Sequence, residues 1–408
     1  MPESIHKQRS TSDFGGFAHE WAGLEVRMTG VHTEGPSGTV FVGGDVCPRF
    51  STRMGPGVFG DLAGAMQDAG ATVVNLECPL TSSECAPPKE GVRLTASTDW
   101  ALALRQAGVD AVGMANNHAM DAGAEGLRDT LGACQVAGIQ VFGAGTSIAR
   151  AREPVIKGVG GVRVALLAVA EHEFGIATED DPGVAPMRES SSMDSVVSAK
   201  ANADIVVLLV HGGAEQYPLP RPSLRETCHL FVQAGADLVV CQHSHVVGAV
   251  EVLDRAVIVY GTGNCFFPYL DDTPLGWNDS YSLSVDVSAD GLVAVRLLPC
   301  RFVPSENRVR RLADEDMELF RQGLLALNAR AGSVEKLRSE WSDFSASRRL
   351  NLLTELLGLR RPERALVARG IWPWWRMPRD RVPALLNVVR CESHRESLIE
   401  VLSEEIEG

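Results

Sequence analysis

The sequence contains no apolar run of about 18 residues, the length that a helix needs to cross a bilayer, so no transmembrane helix is expected. The N-terminal segment MPESIHKQRSTSDFGGFAHEWAG is polar and lacks the apolar core of a signal peptide, so none is expected. Positive charge is also scarce, since 38 lysines and arginines face 52 aspartates and glutamates and the formal net charge is -14. This balance argues against a nucleic-acid surface, with a local basic patch left open. A phosphate-bearing substrate stays compatible with it, because bound metal ions can hold an anion.

Paired cysteines with metal-binding or redox spacing are absent. The nine cysteines form no Cys-x-x-Cys motif and are scattered along the chain: Cys47, Cys78, Cys85, Cys134, Cys228, Cys241, Cys265, Cys300 and Cys391. An odd, unpatterned set in a chain of this length indicates reduced thiols in a cytosol. It also speaks against a structural zinc site built on cysteines. We therefore predict a cytoplasmic protein.

The chain is long and apolar enough to bury a sizeable core. It has 408 residues, of which 45% are hydrophobic, which allows one large α/β domain plus an appendage. Strand-like and helix-like patterns alternate over residues 39–300 and predict an α/β fold. Within this region, residues 58–70 have the apolar spacing of a helix. The predicted division is a loosely ordered lead over 1–37, a main domain over 38–305 and an α-helical extension over 306–408.

Histidines and tryptophans also occur outside the main domain. The histidines of the lead are expected to be solvated: His6, His19 and His32. The tryptophans around Pro373 could line a pocket, form a dimer contact or pack the extension onto the main domain: Trp372, Trp374 and Trp375. Packing is the preferred interpretation.

Polar side chains follow five of the predicted strands directly. They are Asp45, Glu77, the pair Asn117 and His118, His211, and the pair His243 and His245. A side chain just past the carboxyl end of a strand in an α/β fold is well placed to project into a site. His243 and His245 are one residue apart, so both imidazoles can point at the same small volume.

Carboxylates, neutral imidazoles and an amide oxygen together suit Mn, Fe, Zn or Co ions. Two ions need roughly six or seven protein ligands with one carboxylate bridging, and this set of residues is that long. A pair of ions a few ångströms apart can clamp a phosphoryl group and generate a hydroxide nucleophile. The joint placement therefore predicts a dinuclear metal site.

Each of these residues also has a purely structural interpretation. Asp45 could cap a helix, Glu77 could be an exposed loop acid, and Asn117 could be a turn residue in the left-handed region. A lone histidine such as His118 or His211 is often a structural residue. Independent structural roles would not put all of them directly after strands, so the joint arrangement favours a site.

The same residues carry a resemblance to a known family. Six segments carry it: Gly44-Asp45, Asn75-Leu76-Glu77-Cys78-Pro79, Asn116-Asn117-His118-Ala119-Met120-Asp121, His211-Gly212-Gly213-Ala214-Glu215, Gln242-His243-Ser244-His245 and Tyr260-Gly261-Thr262-Gly263-Asn264. Their order resembles that of the CapA family, the poly-γ-glutamate capsule biosynthesis proteins of the calcineurin-like metallophosphoesterase superfamily. The resemblance covers about residues 39–300. It implies a β-sandwich flanked by helices, with a dinuclear metal site at the strand ends.

The resemblance also implies roles for the metal-binding residues. Asp45 would ligate one metal ion, Glu77 would bridge the two ions, and Asn117 would bind the second. The histidines would complete the set, His211 and His243 on one ion and His245 on the other. Two divalent transition metals (Mn, Fe or Zn) are therefore the expected cofactors.

Five further residues have expected roles around the metals. His118 would protonate the leaving oxygen, and Asp121 would either orient His118 or cap the next helix. Arg49 could hold a substrate anion or be an ordinary surface arginine. Glu215 and Asn264 are candidate pocket or supporting residues, here grouped with Arg49 as substrate-binding.

The sequence departs from the family pattern in two places without losing a ligand. Gly212 stands where the family usually has an aromatic residue, and we expect this to open the pocket. Residues 241–245 read Cys-Gln-His-Ser-His instead of Gly-x-His-Pro-His, with Cys241 as a small buried filler. Capsule members of the family are commonly exported or membrane-bound, whereas we expect no membrane anchor in this sequence, so another pathway with the same site stays open.

The predicted function is a metal-dependent hydrolase that acts on a phosphoester within a CapA-like biosynthetic context. One alternative is a hydrolase or transferase of γ-glutamyl or peptide-like amides, because the same polarisation of a carbonyl would serve. Another is a non-enzymatic partner in a biosynthetic complex. The expected partner is a small or polymer-derived anionic substrate, with no nucleic acid, no membrane insertion and a homo-oligomer left open.

Overall fold

The computed structural model describes residues 19–22, 24–31, 35–51, 54–85, 87, 89, 91–269, 273–373, 376–382, 385 and 389. The chain divides into two compact units, and the division falls between Leu337 and Arg338. The first unit holds all of the β-structure described below. The predicted domain bounds remain predictions.

The strands are β1 (His19–Ala22), β2 (Glu25–Met28), β3 (Ser37–Val46), β4 (Ala71–Leu76), β5 (Ala111–Gly113), β6 (Gln140–Phe142), β7 (Ala144–Gly145), β8 (Val155–Val159), β9 (Val162–Ala170), β10 (Gly183–Val184), β11 (Ile205–His211), β12 (Leu238–Gln242), β13 (Val250–Leu253), β14 (Ala256–Val259), β15 (Asn264–Phe266), β16 (Asp279–Ser288), β17 (Gly291–Val303) and β18 (Arg308–Arg311). The helices are α1 (Ala63–Asp68), α2 (Trp100–Gln106), α3 (Gly123–Ala137), α4 (Ile148–Arg152), α5 (Glu189–Asn202), α6 (Pro222–Gln233), α7 (Asp314–Ala331), α8 (Val334–Ser347), α9 (Arg349–Leu357) and α10 (Arg361–Ala368). Short 3-10 helices span Pro56–Leu62 and Arg379–Arg381.

Two sheets form a sandwich. The ten-stranded sheet has the order β1-β2-β17-β16-β3-β4-β5-β6, with β15 paired to β3 and β18 to β17. The six-stranded sheet has the order β13-β14-β12-β11-β9-β8. The sheets meet closely, since a Cβ on Gly113 of β5 would lie 2.8 Å from Leu209 Cδ1 of β11. One hydrophobic core contains side chains from both sheets, and this confirms the predicted α/β sandwich.

The central strands of both sheets are parallel and buried. β11 is apolar from Ile205 to Val210 and every residue in it is buried, as expected for a strand covered on both faces. Helices α5 and α6 pack on this sheet against β11 and β12. The predicted helical C-terminal segment is also confirmed by α8, α9 and α10.

The parallel strands bring their carboxyl ends to one edge of the sandwich. In the large sheet, β3 and β4 pair with Asp45 opposite Asn75. In the small sheet, β11 and β12 pair with His211 opposite Gln242. The residues that follow these strands therefore lie close together in space.

The single helix predicted over 58–70 is wrong. A 3-10 helix over Pro56–Leu62 precedes the short helix α1, and Gly60 interrupts the helical backbone with a φ of 53°. Gly60 is needed there because a Cβ on it would lie 1.8 Å from the carbonyl oxygen of Val309. The approach of β18 thus breaks the helix, and apolar spacing alone cannot reveal it.

The remaining segments bear on the peripheral predictions. Strands β1 and β2 lie within the predicted lead and extend the large sheet next to β17. His6, His32, Trp374 and Trp375 lie outside the described residues. Trp372 donates its Nε1–H to the carbonyl of Met377 at 2.5 Å within the C-terminal unit.

The eight described cysteines are free thiols, as predicted. Among the helices of the described ranges, none has the length and apolarity to cross a bilayer.

Candidate metal centre

The strand ends place the predicted ligands in one buried volume. Asp45 lies near the end of β3, Glu77 directly follows β4, and His211 is the last residue of β11. Side chains of these residues are almost fully buried, with exposures of 1%, 0% and 3%. The approach of β15 to β3 depends on Gly44, because a Cβ on it would lie 2.1 Å from the carbonyl oxygen of Gly263.

Glu77 lies at the centre of the cluster. His211 Nε2 lies 3.4 Å and His245 Nε2 lies 3.6 Å from Glu77 Oε1. Neither carboxylate oxygen of Glu77 has a hydrogen-bond partner among the described residues. Burial, followed by the charge of Asp45, raises the pKa of Glu77 well above its usual range. A buried carboxylate without donors is unfavourable, so this position fits a bound cation.

Asp45 and His245 are in contact with each other next to Glu77. Asp45 Oδ2 lies 3.4 Å from His245 Nδ1, and Asp45 Oδ1 accepts a 2.8 Å hydrogen bond from Asn75. His245 Nδ1 also lies 3.0 Å from Asn264 Oδ1. Burial acts to lower the pKa of His245, but the bonds to Asp45 and Asn264 outweigh it and raise this pKa above the usual value. The imidazole of His245 packs on Trp277, with ring centroids 4.5 Å apart.

Asn117, His211 and His243 form a second set of contacts next to Glu77. Asn117 Oδ1 lies 3.1 Å from His211 Nε2, and the rings of His211 and His243 are 4.7 Å apart. Burial lowers the pKa of His211 well below its usual value and, with the charge of His245, that of His243 to about 4. Both imidazoles are therefore neutral at pH 7, the form that binds metals. Their Nδ1 atoms have no hydrogen-bond partner within the described part of the chain.

The backbone of the His-Ser-His segment is strained. His243 has a φ of 87° and His245 a φ of 57°, in the left-handed region that residues with a Cβ seldom occupy. His243 N–H donates to Asp45 Oδ2 at 3.3 Å, which ties the segment to β3. Such strain persists only where the surroundings hold it, and it clusters at functional sites. The two histidines therefore reach the same volume from left-handed positions on either side of Ser244.

His118 and Asp121 form a pair beside Asn117. His118 Nδ1 lies 2.6 Å from Asp121 Oδ2, which also accepts a 2.7 Å hydrogen bond from Leu94 N–H. Burial acts to raise the pKa of Asp121, but the bonds from His118 and Lys89 outweigh it and lower this pKa. The alternative role of Asp121 as a helix cap is not what the structure shows, because α3 has Ala122 at its N-cap.

A cavity of about 370 Å³ opens beside the cluster. Its lining residues include the candidate ligands Asn117, His211 and His243, and also Glu171, His172, Glu173, Met187, Gly213 and Arg221. Arg221 Nη2 donates to Glu171 Oε1 at 2.6 Å. A larger cavity of about 660 Å³ beside β6 and β8 has none of the candidate ligands in its lining. The smaller cavity is therefore the candidate substrate pocket.

The expected opening of the pocket at Gly212 is wrong. A Cβ on Gly212 would lie 2.7 Å from Glu171 Oε1, so the Glu171 side chain occupies the space beside this glycine. The cause is the register of β9 and β11, in which Ala170 lies opposite His211. Glu171 was not predicted, although it follows a strand end as the candidate ligands do.

The three predicted substrate-binding residues lie in different places. Arg49 is exposed and its guanidinium lies 5.1 Å above the ring of Phe50. Glu215 is exposed, and its charge contributes to raising the pKa of Glu77. Asn264 is buried, with its side chain bonded to His245 and to the carbonyl of Trp277. Their contacts with substrate remain predictions, as does the ligand role of the residues around Glu77.

Two residues of the site gave no usable sequence signal. Lys89 lies in the loop after β4, where a single lysine has no distinctive spacing. Arg221 precedes α6, and its partner Glu171 is 50 positions away in the sequence. Contacts of this kind depend on the fold rather than on a local pattern.

Known proteins resemble this chain in sequence and in structure. The family model for "Bacterial capsule synthesis protein PGA_cap" matches residues 38–269. The "Capsule biosynthesis protein CapA" of Bacillus anthracis is 29% identical over 242 residues, a match that covers 57% of each chain. The chain therefore spans little more than half of that relative's length.

Two other similarities complete the comparison. The "PGA biosynthesis protein CapA" of Bacillus subtilis (strain 168) is 29% identical over 262 residues, covering 62% of this chain and 69% of the relative. A crystal structure of a hypothetical protein from Thermus thermophilus aligns with a TM-score of 0.42 at 16% identity, covering 65% of this chain and all of the other. A structural similarity of this size carries no argument about activity. The family match extends over more than half of the sequence, and the chain therefore belongs to the bacterial capsule synthesis protein PGA_cap family.

Proposed function

We propose that this chain is a metal-dependent hydrolase of phosphoesters, with two divalent transition metals that share Glu77. The observation that carries the proposal is the pair of candidate ligand groups, Asp45–Glu77–His211 and Glu77–His243–His245. In each group the donor atoms lie within 4.8 Å of one another. Both groups contain Glu77, whose two carboxylate oxygens have no hydrogen-bond partner among the described residues. This is the arrangement that a bridging carboxylate requires.

The two groups overlap at Glu77, and the contacts among their members support an assignment that divides each group between the two ions. Asp45 and His245 are in contact with each other and would serve one ion. His211 is in contact with both Asn117 and His243, and these three residues would serve the second ion. Oxygen and imidazole donors suit Mn, Fe or Zn. When bound, the metals would hold the phosphoryl oxygens and lower the pKa of a water molecule so that it attacks as hydroxide.

His118 would act as the acid that protonates the leaving oxygen. An ionised carboxylate only accepts hydrogen bonds, so the 2.6 Å contact with Asp121 supports the tautomer that carries a proton on His118 Nδ1. Nε2 is then the nitrogen that exchanges a proton with the substrate. General acid catalysis of this kind contributes roughly 100- to 10,000-fold.

The pocket supports a small anionic substrate. Its volume of about 370 Å³ lies in the range of small-molecule sites. Arg221 reaches it from the N-terminal end of α6, and Glu171 holds the guanidinium. Arg49 and Glu215 are the further substrate contacts that we propose, and Asn264 would orient His245.

The biological context comes from the names of the relatives. Both Bacillus proteins are named for capsule or PGA biosynthesis, so we propose that the substrate derives from the synthesis of such an anionic polymer. The match covers only part of the length of the relatives, so a hydrolase activity of the whole protein is part of what we propose. We also propose that the protein acts in the cytoplasm.

A substrate screen of the purified full chain tests the proposal. Reconstitution with Mn²⁺, Fe²⁺ or Zn²⁺ after treatment with a chelator should restore hydrolysis of phosphoesters and leave γ-glutamyl amides intact. The exposed acid Glu226 on α6 provides a control, because Glu226→Gln should keep the activity that Glu77→Gln loses. Cleavage of the amides alone would replace the proposal with an amidase. Full function of Glu77→Gln in cells would indicate a non-enzymatic partner.

A further inference from the structure

The loop after β4 is closed at its base by two backbone hydrogen bonds. Thr81 N–H donates to the carbonyl of Ala96 at 2.8 Å, and Ala96 N–H donates to that of Pro79 at 3.0 Å. The two ends of the loop are therefore fixed next to each other. From this loop, Lys89 points inward with only 6% of its side chain exposed. A buried ammonium is unfavourable unless the protein provides acceptors for it.

The surroundings of Lys89 provide those acceptors. Lys89 Nζ donates to the carbonyl oxygen of Asn117 at 2.7 Å and to Asp121 Oδ1 at 2.5 Å. It lies 3.1 Å from His118 Nδ1 and 5.0 Å from the centre of the Phe174 ring. The aromatic face adds a favourable cation–π contact. All of the partners but Phe174 belong to the turn that carries the candidate acid.

Lys89 and His118 donate hydrogen bonds to different oxygens of the Asp121 carboxylate. His118 Nδ1 carries the proton that Asp121 Oδ2 accepts, so Lys89 does not donate to that nitrogen. Lys89 instead holds the other oxygen of the same carboxylate. It also holds the carbonyl of the peptide that joins Asn117 to His118. One side chain therefore fixes the imidazole from two directions.

We propose that Lys89 is a positioning residue, which holds Asp121 and the Asn117–His118 peptide so that His118 Nε2 faces the leaving oxygen. This inference rests on the proposed function, because it assigns His118 the role of acid. Lys89 itself does not touch the reacting atoms. Residues that orient a catalytic or ligating group in this way typically contribute roughly 10- to 100-fold to activity.

The dependence on the leaving group tests the proposal. The p-nitrophenolate leaving group departs from its phosphate ester without help from an acid. The alkoxide of an alkyl phosphate ester is a poor leaving group and needs protonation as it departs. We expect Lys89→Met to lower kcat about 10- to 100-fold for the alkyl ester, with an unchanged KM and nearly unchanged hydrolysis of the p-nitrophenyl ester. Lys157→Met is the control, because Lys157 bonds to Gln140 away from the site and its loss should affect neither ester. Equal losses for both esters, or a loss of bound metal in Lys89→Met, would overturn the assignment.

A double-mutant cycle separates action through His118 from an independent effect. In the His118→Ala background, the additional Lys89→Met change should have no effect on the alkyl ester. A loss that multiplies that of His118→Ala would contradict the proposal. Circular dichroism of each variant confirms that it is folded.

Proton NMR gives a readout that does not depend on activity. The Nδ1 proton of His118 should appear far downfield and exchange slowly, and His118→Ala identifies it by its absence. In Lys89→Met the signal should broaden, because Lys89 no longer holds Asp121 and the Asn117–His118 peptide in place. If wild-type protein cleaves no phosphoester but shows this dependence, the proposed function fails and the positioning role stands. An unchanged signal in Lys89→Met overturns the positioning role in either case.

Discussion

Replacement of Glu77 by glutamine should stabilise the metal-free protein and abolish the stabilisation by metal. Glu77 is fully buried and both its oxygens lack hydrogen-bond donors among the described residues. An unsatisfied buried polar group costs roughly 1–3 kcal/mol, and a charged one costs more. Glutamine has the same shape without the charge. At pH 7 in a chelator, we therefore expect Glu77→Gln to be more stable than wild type by at least about 1 kcal/mol.

The difference should depend on pH in a defined direction. Burial raises the pKa of Glu77 in the folded protein, so its contribution to stability is complete below the usual carboxyl pKa of about 4.3. That contribution is lost as the pH rises towards the folded pKa. One proton corresponds to a slope of at most about 1.4 kcal/mol per pH unit. The advantage of Glu77→Gln over wild type should therefore grow as the pH increases above about 4.3.

Metal should reverse the order of stability. A metal ion present at a concentration 100 times its Kd stabilises the folded state by about 2.7 kcal/mol, and only wild type should gain this stability. Calorimetry between pH 5 and pH 8, with and without metal, measures the pH-dependent difference and the stabilisation by metal on the unfolding transition that metal shifts. A metal-free Glu77→Gln variant that is less stable than wild type at every pH would show that the buried Glu77 carboxylate carries no such cost. A difference between the two proteins that does not change with pH would show that the pKa of Glu77 is not raised in the folded state.

Three further predictions concern the site. His118→Ala should lower kcat for an alkyl phosphate ester roughly 100- to 10,000-fold with metal content unchanged; an equal loss of metal would contradict the role of acid. Gly212→Ala should displace Glu171 from its ion pair with Arg221 and raise KM about two- to fivefold, as expected for the loss of a part-exposed pair. The control Gly132→Ala should have no effect on KM, because Gly132 has open space around it. Because burial lowers the pKa of His243 to about 4 whereas the bonds to Asp45 and Asn264 raise the pKa of His245, protons should displace the ion at His245 at a higher pH than the ion at His243. Dialysis followed by elemental analysis should show the second ion released only as the pH approaches 4; release of both ions already at pH 6 would contradict this.

The sequence pattern was sufficient for the strand ends that build the site. Asp45, Glu77 and His211 each follow an apolar run that forms a parallel strand. Parallel strands with both faces covered have continuous apolar sequences, which makes their ends easy to identify. The edge at which these ends meet follows from the parallel connections. This part of the fold was therefore predictable.

Features that depend on contacts between distant segments were not predictable. His243 and His245 have left-handed backbone conformations, but neither position is a glycine, the residue that would indicate such a conformation in a sequence. Glu171 lies beside Gly212 only because of the register between β9 and β11. Lys89 reaches Asp121 from a loop 32 positions away. In each case a long-range contact, rather than local periodicity, determines the position of the side chain.

The proposed function gives Glu77 the role of a ligand that two metal ions would share. Elemental analysis of the full chain, purified without chelators, tests this role when wild type is compared with Glu77→Gln and the exposed control Glu226→Gln. We expect about two transition-metal ions per chain in wild type and control, in keeping with a dinuclear site, and loss of both ions in Glu77→Gln. A wild-type protein without metal after reconstitution, or a Glu77→Gln variant that keeps both ions, would contradict it.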